Sequence, residues 1–181
     1  MTIVDLWLPI VVSAAVVWVA SAIIWMALPW HKTDYAATPN EEAVRAALSG
    51  LSPGMYNVPH CVDQKQLQDP EMQRKFEEGP LAFITVLPKG LPPMGKNVAL
   101  SFVFYLVVGV ICAYVVSRTV APGADYLSTF RVAGTVAFVA YGLGYFQETI
   151  WFGRPMSATA KSLLDALIYG LLTGGVFGWL A

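Results

Sequence analysis

Hydrophobic and polar positions along this chain alternate on the scale of whole segments: four long apolar runs, with one long polar stretch between the first and the second. The first run, Leu6 to Leu28, contains no charged residue. It is longer than the apolar core of a secretory leader and lacks both a basic start and a clear small-residue cleavage site, so it reads as a retained anchor. The second run spans Asn97 to Ser117, bounded by Lys96 and Arg118. Ala121-Pro122-Gly123 makes a tight turn into the third, about Tyr126 to Phe146, which carries one charge, Arg131. A break at Gly153-Arg154-Pro155 leads into the fourth, about Ala160 to Leu180. A helix rises about 1.5 Å per residue, so roughly 20 apolar residues cross the hydrocarbon of a bilayer. The pattern predicts a mostly α integral membrane protein: four transmembrane helices, with a small α+β extramembrane cap between helices one and two.

The cap has its own punctuation. Thr38-Pro39-Asn40-Glu41 reads as a capping box with proline at the first helical position, followed by Val44, Ala47 and Leu48 on one face and Gly50 as the stop. Asp69-Pro70-Glu71 opens a second short helix, with Met72 and Phe76 one turn apart and Gly79 at its end. Extended segments are expected at Met55 to Val58 and Leu81 to Leu87, the latter rich in β-formers. A proline and glycine linker, Leu87 to Gly95, returns to the bilayer. The expected parts are a transmembrane anchor over residues 1–29, an α+β cap and linker over 30–97, and a three-helix transmembrane region over 98–181.

Within the fourth run a small residue recurs at every fourth position: Ala158, Ser162, Ala166, Gly170, Gly174 and Gly178. That spacing makes a ridge without bulk along one side of a helix, against which another backbone can approach closely. Its occupant is either a helix of the same bundle or another protein. Trp7, Trp18 and Trp25 fall within about 20° of one another on a helical wheel and form a stripe, with Trp7 and Trp30 placed as interfacial aromatics.

Composition agrees with the pattern. The chain is 56% hydrophobic and 13% charged, with a mean hydropathy of +0.58, which excludes an ordinary soluble domain. The net charge of −1 offers no basic field for nucleic acid. The expected partners are the lipid bilayer and other integral membrane proteins or further copies of the chain. Lys32, Arg45, Lys89, Lys96, Arg154 and Lys161 lie on one side of the spans, against Arg118 and Arg131 on the other. The positive-inside rule therefore places the cap in the cytoplasm and both termini in the periplasm.

Candidate chemistry is sparse. Arg131 stands inside the third run, near Asp125 and Arg118, where it can snorkel or line a transport path. Asp165 follows Lys161 by one turn, the spacing of an ion pair within one helix. Glu148 and Arg154 flank an aromatic turn and can bridge across it. His31, beside Trp30 at the end of the first run, is a possible ligand contact. Cys61 and Cys112 do not form a CxxC pair, and His60, Cys61 and Asp63 lack the spacing of a metal site, so neither metal nor cofactor is expected. No GxSxG, GK[ST] phosphate loop or GxGxxG occurs.

Four motifs together carry a resemblance. Trp30-His31-Lys32-Thr33-Asp34-Tyr35, Gly79-Pro80-Leu81, Met94-Gly95-Lys96-Asn97 and Ile150-Trp151-Phe152-Gly153-Arg154-Pro155 are similar to segments of an uncharacterised family of bacterial four-span inner-membrane proteins with no assigned activity. The resemblance implies the four-span architecture and a bacterial inner membrane, and carries over no catalytic residue. Three functions follow as expectations. The first is a non-catalytic accessory or scaffold subunit of a larger inner-membrane complex, with respiratory and photosynthetic assemblies as the candidates. The second is a small oligomeric transporter or channel, and the third a membrane-embedded enzyme using His31 and His60.

Overall fold

The computed structural model describes residues 1–181 and divides them into two compact units, Met1–Tyr35 with Pro93–Ala181, and Ala36–Pro92. The first unit holds four helices long and apolar enough to cross a membrane: Val4–Ala27, Met94–Thr119, Tyr126–Phe152 and Met156–Leu180.

The first span has three geometries in sequence: a 3-10 turn at Val4–Leu6, helix α1 at Trp7–Ala22, and a π-helical turn at Ile23–Ala27. Its ending follows from Pro29. Proline disfavours helical geometry in the residue before it, and Leu28 is extended, at φ −83° and ψ 143°. The Leu28 amide reaches back five residues to the carbonyl of Ile23 at 3.2 Å, which widens the last turn. A 3-10 turn over Trp30–Thr33 follows directly and buries His31. On α1 and its continuation the buried side chains Ile10, Ala14, Val17, Ser21 and Ile24 are spaced alternately by four and three residues. That is the period of a helix seam.

The remaining spans are α4 (Met94–Thr119), α5 (Tyr126–Gly142), α6 (Gly144–Phe152) and α7 (Met156–Leu180). The third span thus runs beyond Phe146, pausing only at Leu143, and ends where Gly153 takes a positive φ of 71°. There the Arg154 amide bonds back to the Glu148 carbonyl at 3.2 Å, a turn that glycine permits without strain. The fourth span begins at Met156, immediately after Pro155, and so starts earlier than the apolar run suggests.

The small-residue ridge packs inside this unit. A Cβ added to Gly170 would stand 2.9 Å from the Gly134 carbonyl oxygen, and one on Gly174 would stand 2.8 Å from that of Phe130. One on Gly178 would meet the ring of Tyr126 at 2.7 Å. Ala158, Ser162 and Ala166 are buried on the same side. Backbone therefore lies against backbone along α5 and α7, and the ridge is occupied by the chain's own helix.

The second unit contains α2 (Glu41–Leu48), α3 (Pro70–Glu78) and two antiparallel strands, β1 (Gly54–Val58) and β2 (Ala82–Val86), paired from Gly54↔Val86 to Val58↔Ala82. The α+β content matches the expectation, with one local correction. Asn40 is the N-cap of α2, its side chain accepting from the Ala43 amide at 3.0 Å, so Pro39 lies outside the helix and not at its first position. Asp69 caps α3 with Pro70 in the first turn, as its sequence implies, and Gly79 ends it.

Candidate functional site

The polar heart of the helical unit is assembled from two distant pieces of chain. The turn after α1 contributes His31 and Asp34, three residues apart and therefore on one side of a helical turn. The first turns of α7 contribute Lys161 and Asp165. Lys161 Nζ donates to Asp34 Oδ1 at 2.6 Å. Asp34 Oδ2 lies 2.7 Å from His31 Nδ1, and His31 Nε2 lies 2.8 Å from Asp165 Oδ2. The result is an unbroken line of four ionisable groups, Lys161–Asp34–His31–Asp165. Lys161 and Asp165 do not form the one-turn ion pair that their spacing suggests: Asp34 and His31 intervene, each taking one of the two charges.

The two ends of the line differ. All three ammonium protons of Lys161 are used, on the Trp30 carbonyl, the Thr33 hydroxyl and Asp34, which fastens the turn to α7. Asp34 sits beside that ammonium and the imidazole, and these hydrogen bonds hold its carboxyl below the usual carboxylate range. At the other end Asp165 is 4% exposed, and its second oxygen, Oδ1, is buried with no hydrogen-bond partner. An unmade hydrogen bond on a buried polar group costs about 1–3 kcal/mol, more when the group is charged. Structural ion pairs are built to avoid that cost.

Asp165 also lines a cavity of about 90 Å³, together with Trp25, Phe104, Tyr105, Tyr141, Tyr145, Ser162 and Tyr169. The rings of Tyr105, Tyr141 and Tyr169 meet edge to face, with centroids 5.6 to 6.3 Å apart. Trp25 and Phe104 are about half exposed and form its rim. Trp25 also lies flat on the His31 ring, with centroids 4.0 Å apart and planes within 4°. That stack fixes the imidazole in the plane where both nitrogens meet a carboxylate.

Proton counting constrains the cluster. A neutral imidazole has one N–H, so both of its contacts are hydrogen bonds only if the ring is an imidazolium or if one carboxylate carries the proton. In either form Lys161 supplies one positive charge, Asp34 one negative charge, and the His31–Asp165 pair with its shared proton is neutral. With that proton in place the buried line has no net charge.

The other expected site residues fall elsewhere. Arg154 does not bridge to Glu148: its Nη2 donates to Ser162 Oγ at 3.0 Å and its guanidinium lies 4.9 Å from the Tyr145 ring centre. Arg131 is exposed and lines an apolar groove with Phe130, Gly134, Thr135 and Phe138, away from Asp165. His60 belongs to the second unit, where Nδ1 lies 2.7 Å from the Asn57 side-chain oxygen, and the Cys61 thiol donates to the Asp63 carbonyl. Sequence reasoning named His31 and Asp165 separately and missed Asp34 as the link between them, along with the four aromatic residues Trp25, Tyr105, Tyr141 and Tyr169. One signal was available: Asp165, Tyr169 and Thr173 continue the buried face of α7 marked by Ser162. No family model matches this chain, and no curated protein and no solved structure matches it either, so the site is read from its own chemistry.

Proposed function

We propose that this protein is a multi-pass membrane protein of the small-transporter class, in which Asp165 and its aromatic cavity bind a solute and the proton shared with His31 is exchangeable. The observation that carries this reading is Asp165, a buried carboxylate with one oxygen left without a partner, in the lining of a cavity large enough for a few heavy atoms. Ionisable residues within spans mark solute and proton pathways more often than they mark packing. The excess of Lys and Arg on the side of Lys32 and Lys161 supports a cytoplasmic side for the cluster and for residues 36–92. An accessory-subunit role was motivated by the small-residue ridge, the interfacial aromatics and the missing catalytic motifs; α5 packs on the ridge, which removes one of these three supports. An enzyme built from His31 and His60 has its two histidines in separate compact units.

Saturation-transfer NMR on the detergent-solubilised protein with propanol, acetamide and ethylammonium tests the site. At least one of these small donors is expected to give a saturable signal that is lost in Asp165→Asn. Absence of binding by all three, or equal binding to the variant, rejects the reading.

A further inference from the structure

The cavity beside Asp165 is specific in its chemistry. Its one charged group is a carboxylate, offering a single free acceptor oxygen. Its walls are electron-rich rings, whose faces attract a cation. The buried hydroxyl of Tyr169 adds a second polar group on the same helix face. An anion would meet a carboxylate and aromatic faces, so it is disfavoured twice. A neutral donor would gain the hydrogen bond alone. A small cation with N–H groups gains the hydrogen bond, the charge and the ring faces together.

We infer that the site binds a primary alkylammonium group and that one proton leaves the His31–Asp165 pair for each ammonium bound. The inference rests on the proposed solute site and names its ligand class. The ammonium donates to Asp165 Oδ1, and its alkyl chain points to the rim formed by Trp25 and Phe104. The proton follows from charge. With the shared proton in place the cluster is neutral, and a net charge in a low-dielectric site is costly. Entry of R–NH3⁺ with departure of the shared proton leaves the site neutral again: R–NH3⁺ plus protonated cluster gives the ammonium complex of the deprotonated cluster plus H⁺.

The charged groups around Asp165 are consistent with this exchange. From the turn after α1 come His31 and Asp34, and Lys161 is committed to Asp34 on the far side of the imidazole. Arg154 is held by Ser162 and the Tyr145 ring and forms no ion pair with Asp165. Hydroxyls from α4, α5, α6 and α7, those of Tyr105, Tyr141, Tyr145 and Tyr169, complete the surroundings. His31 is the one neighbour in contact with Asp165 that can neutralise it, and only while the shared proton is present, so the ligand's charge takes that proton's place.

The ammonium has two natural sources, a free amine or the ethanolamine headgroup of a lipid reaching the half-exposed rim. Calorimetric titration of the full chain with ethylammonium chloride, in two buffers of different ionisation enthalpy, counts the protons released. One proton per ethylammonium is expected, with propanol, similar in shape and uncharged, binding at least tenfold more weakly and releasing none. Asp165→Asn should lose ethylammonium binding at least tenfold. Tyr169→Phe, which keeps the ring, should weaken it severalfold and serves if the first variant does not fold. Repeating the titration in phosphatidylcholine nanodiscs with and without phosphatidylethanolamine separates the sources: competition by the lipid assigns a headgroup, its absence a soluble amine.

Propanol binding as tightly as ethylammonium, with dependence on Asp165, would overturn the ammonium assignment and leave the solute site standing. Binding of neither probe overturns both. Ethylammonium binding without proton release refutes the exchange.

Discussion

Replacing Gly174 with alanine should destabilise the helical unit, whereas the same change at the adjacent Gly175 should not. The new Cβ at 174 would lie 2.8 Å from the Phe130 carbonyl oxygen and 3.1 Å from both the Gly134 Cα and the Phe130 ring. Non-bonded carbons rest about 3.5–4.0 Å apart, so α5 and α7 must separate by roughly half an ångström or more. Two of these neighbours are backbone atoms, which cannot rotate away. Overpacking of this kind costs about 1–3 kcal/mol. At Gly175 the Cβ meets only the Tyr126 hydroxyl, at 3.7 Å, an ordinary contact. There alanine gains up to about 1 kcal/mol from its greater helix propensity. The two variants share a helix, a residue type and a membrane depth, and their stabilities should differ by roughly 2–4 kcal/mol. Denaturant titration of the detergent-solubilised proteins, followed by near-ultraviolet circular dichroism, measures that difference. Gly174→Leu should be worse still, poorly folded and readily proteolysed. If the two alanine variants agree within about 0.5 kcal/mol, the close crossing is wrong. A Gly174→Leu protein that folds normally but loses an associated protein would place the ridge at an external interface.

Three further outcomes are expected. Lys161→Met removes three hydrogen bonds and leaves the nearly buried Asp34 without its ammonium, so it should lower stability by about 3 kcal/mol, while Lys32→Met changes the same assay by less than about 0.5 kcal/mol. The lowered pKa of Asp34 means that, below the ordinary carboxylate value of about 3.9, the unfolded chain binds more protons there than the folded one. Its contribution is therefore full above that pH and lost as pH falls through the folded pKa; the thermal midpoint should fall on acidification below pH 4, and less steeply in Asp34→Asn. A cysteine placed at Gln66 in a Cys61→Ser background should react with an impermeant maleimide only after cells are permeabilised, and labelling of intact cells would reverse the orientation.

The helices were legible because length alone decides them: an uncharged run as long as Leu6 to Leu28 has few alternatives to an apolar helix. The ridge was legible as a ridge, since four-residue spacing is local, but its occupant was not. Gly134 faces Gly170 across α5 and α7, and nothing near Gly134 in the chain announces the match. The site failed for the same reason. His31 and Asp165 are 134 positions apart, and Lys161 and Asp34 127 apart. A one-turn Lys161–Asp165 pair was the natural local reading because it needs no tertiary knowledge, yet burial of Asp165 and the arrival of the Trp30–Thr33 turn gave each charge a better partner. Arg154 was misread in the same way, with Ser162 one helix onward displacing Glu148 across the turn.

The two features of α7 are connected. In its C-terminal half Gly170, Gly174 and Gly178 bring α5 to backbone contact, and the space between the helices disappears. On the adjoining face of α7 Tyr169 stands edge to face with Tyr141 and Tyr105. Rings that meet at right angles leave gaps that aliphatic side chains would fill, and the cavity at Asp165 lies among them. The glycine crossing holds one end of the helix pair rigid, so the aromatic end keeps its spacing without further polar contacts of its own. An unpaired carboxylate oxygen can persist there because the rest of the helix supplies the packing, and because the shared proton keeps the line from Lys161 to Asp165 free of net charge. Enlarging the cavity by Tyr141→Leu should therefore cost packing while leaving the His31–Asp165 contact intact, whereas His31→Leu should leave both oxygens of Asp165 without a partner and destabilise the helical unit further, a difference that denaturant titration of the two variants measures.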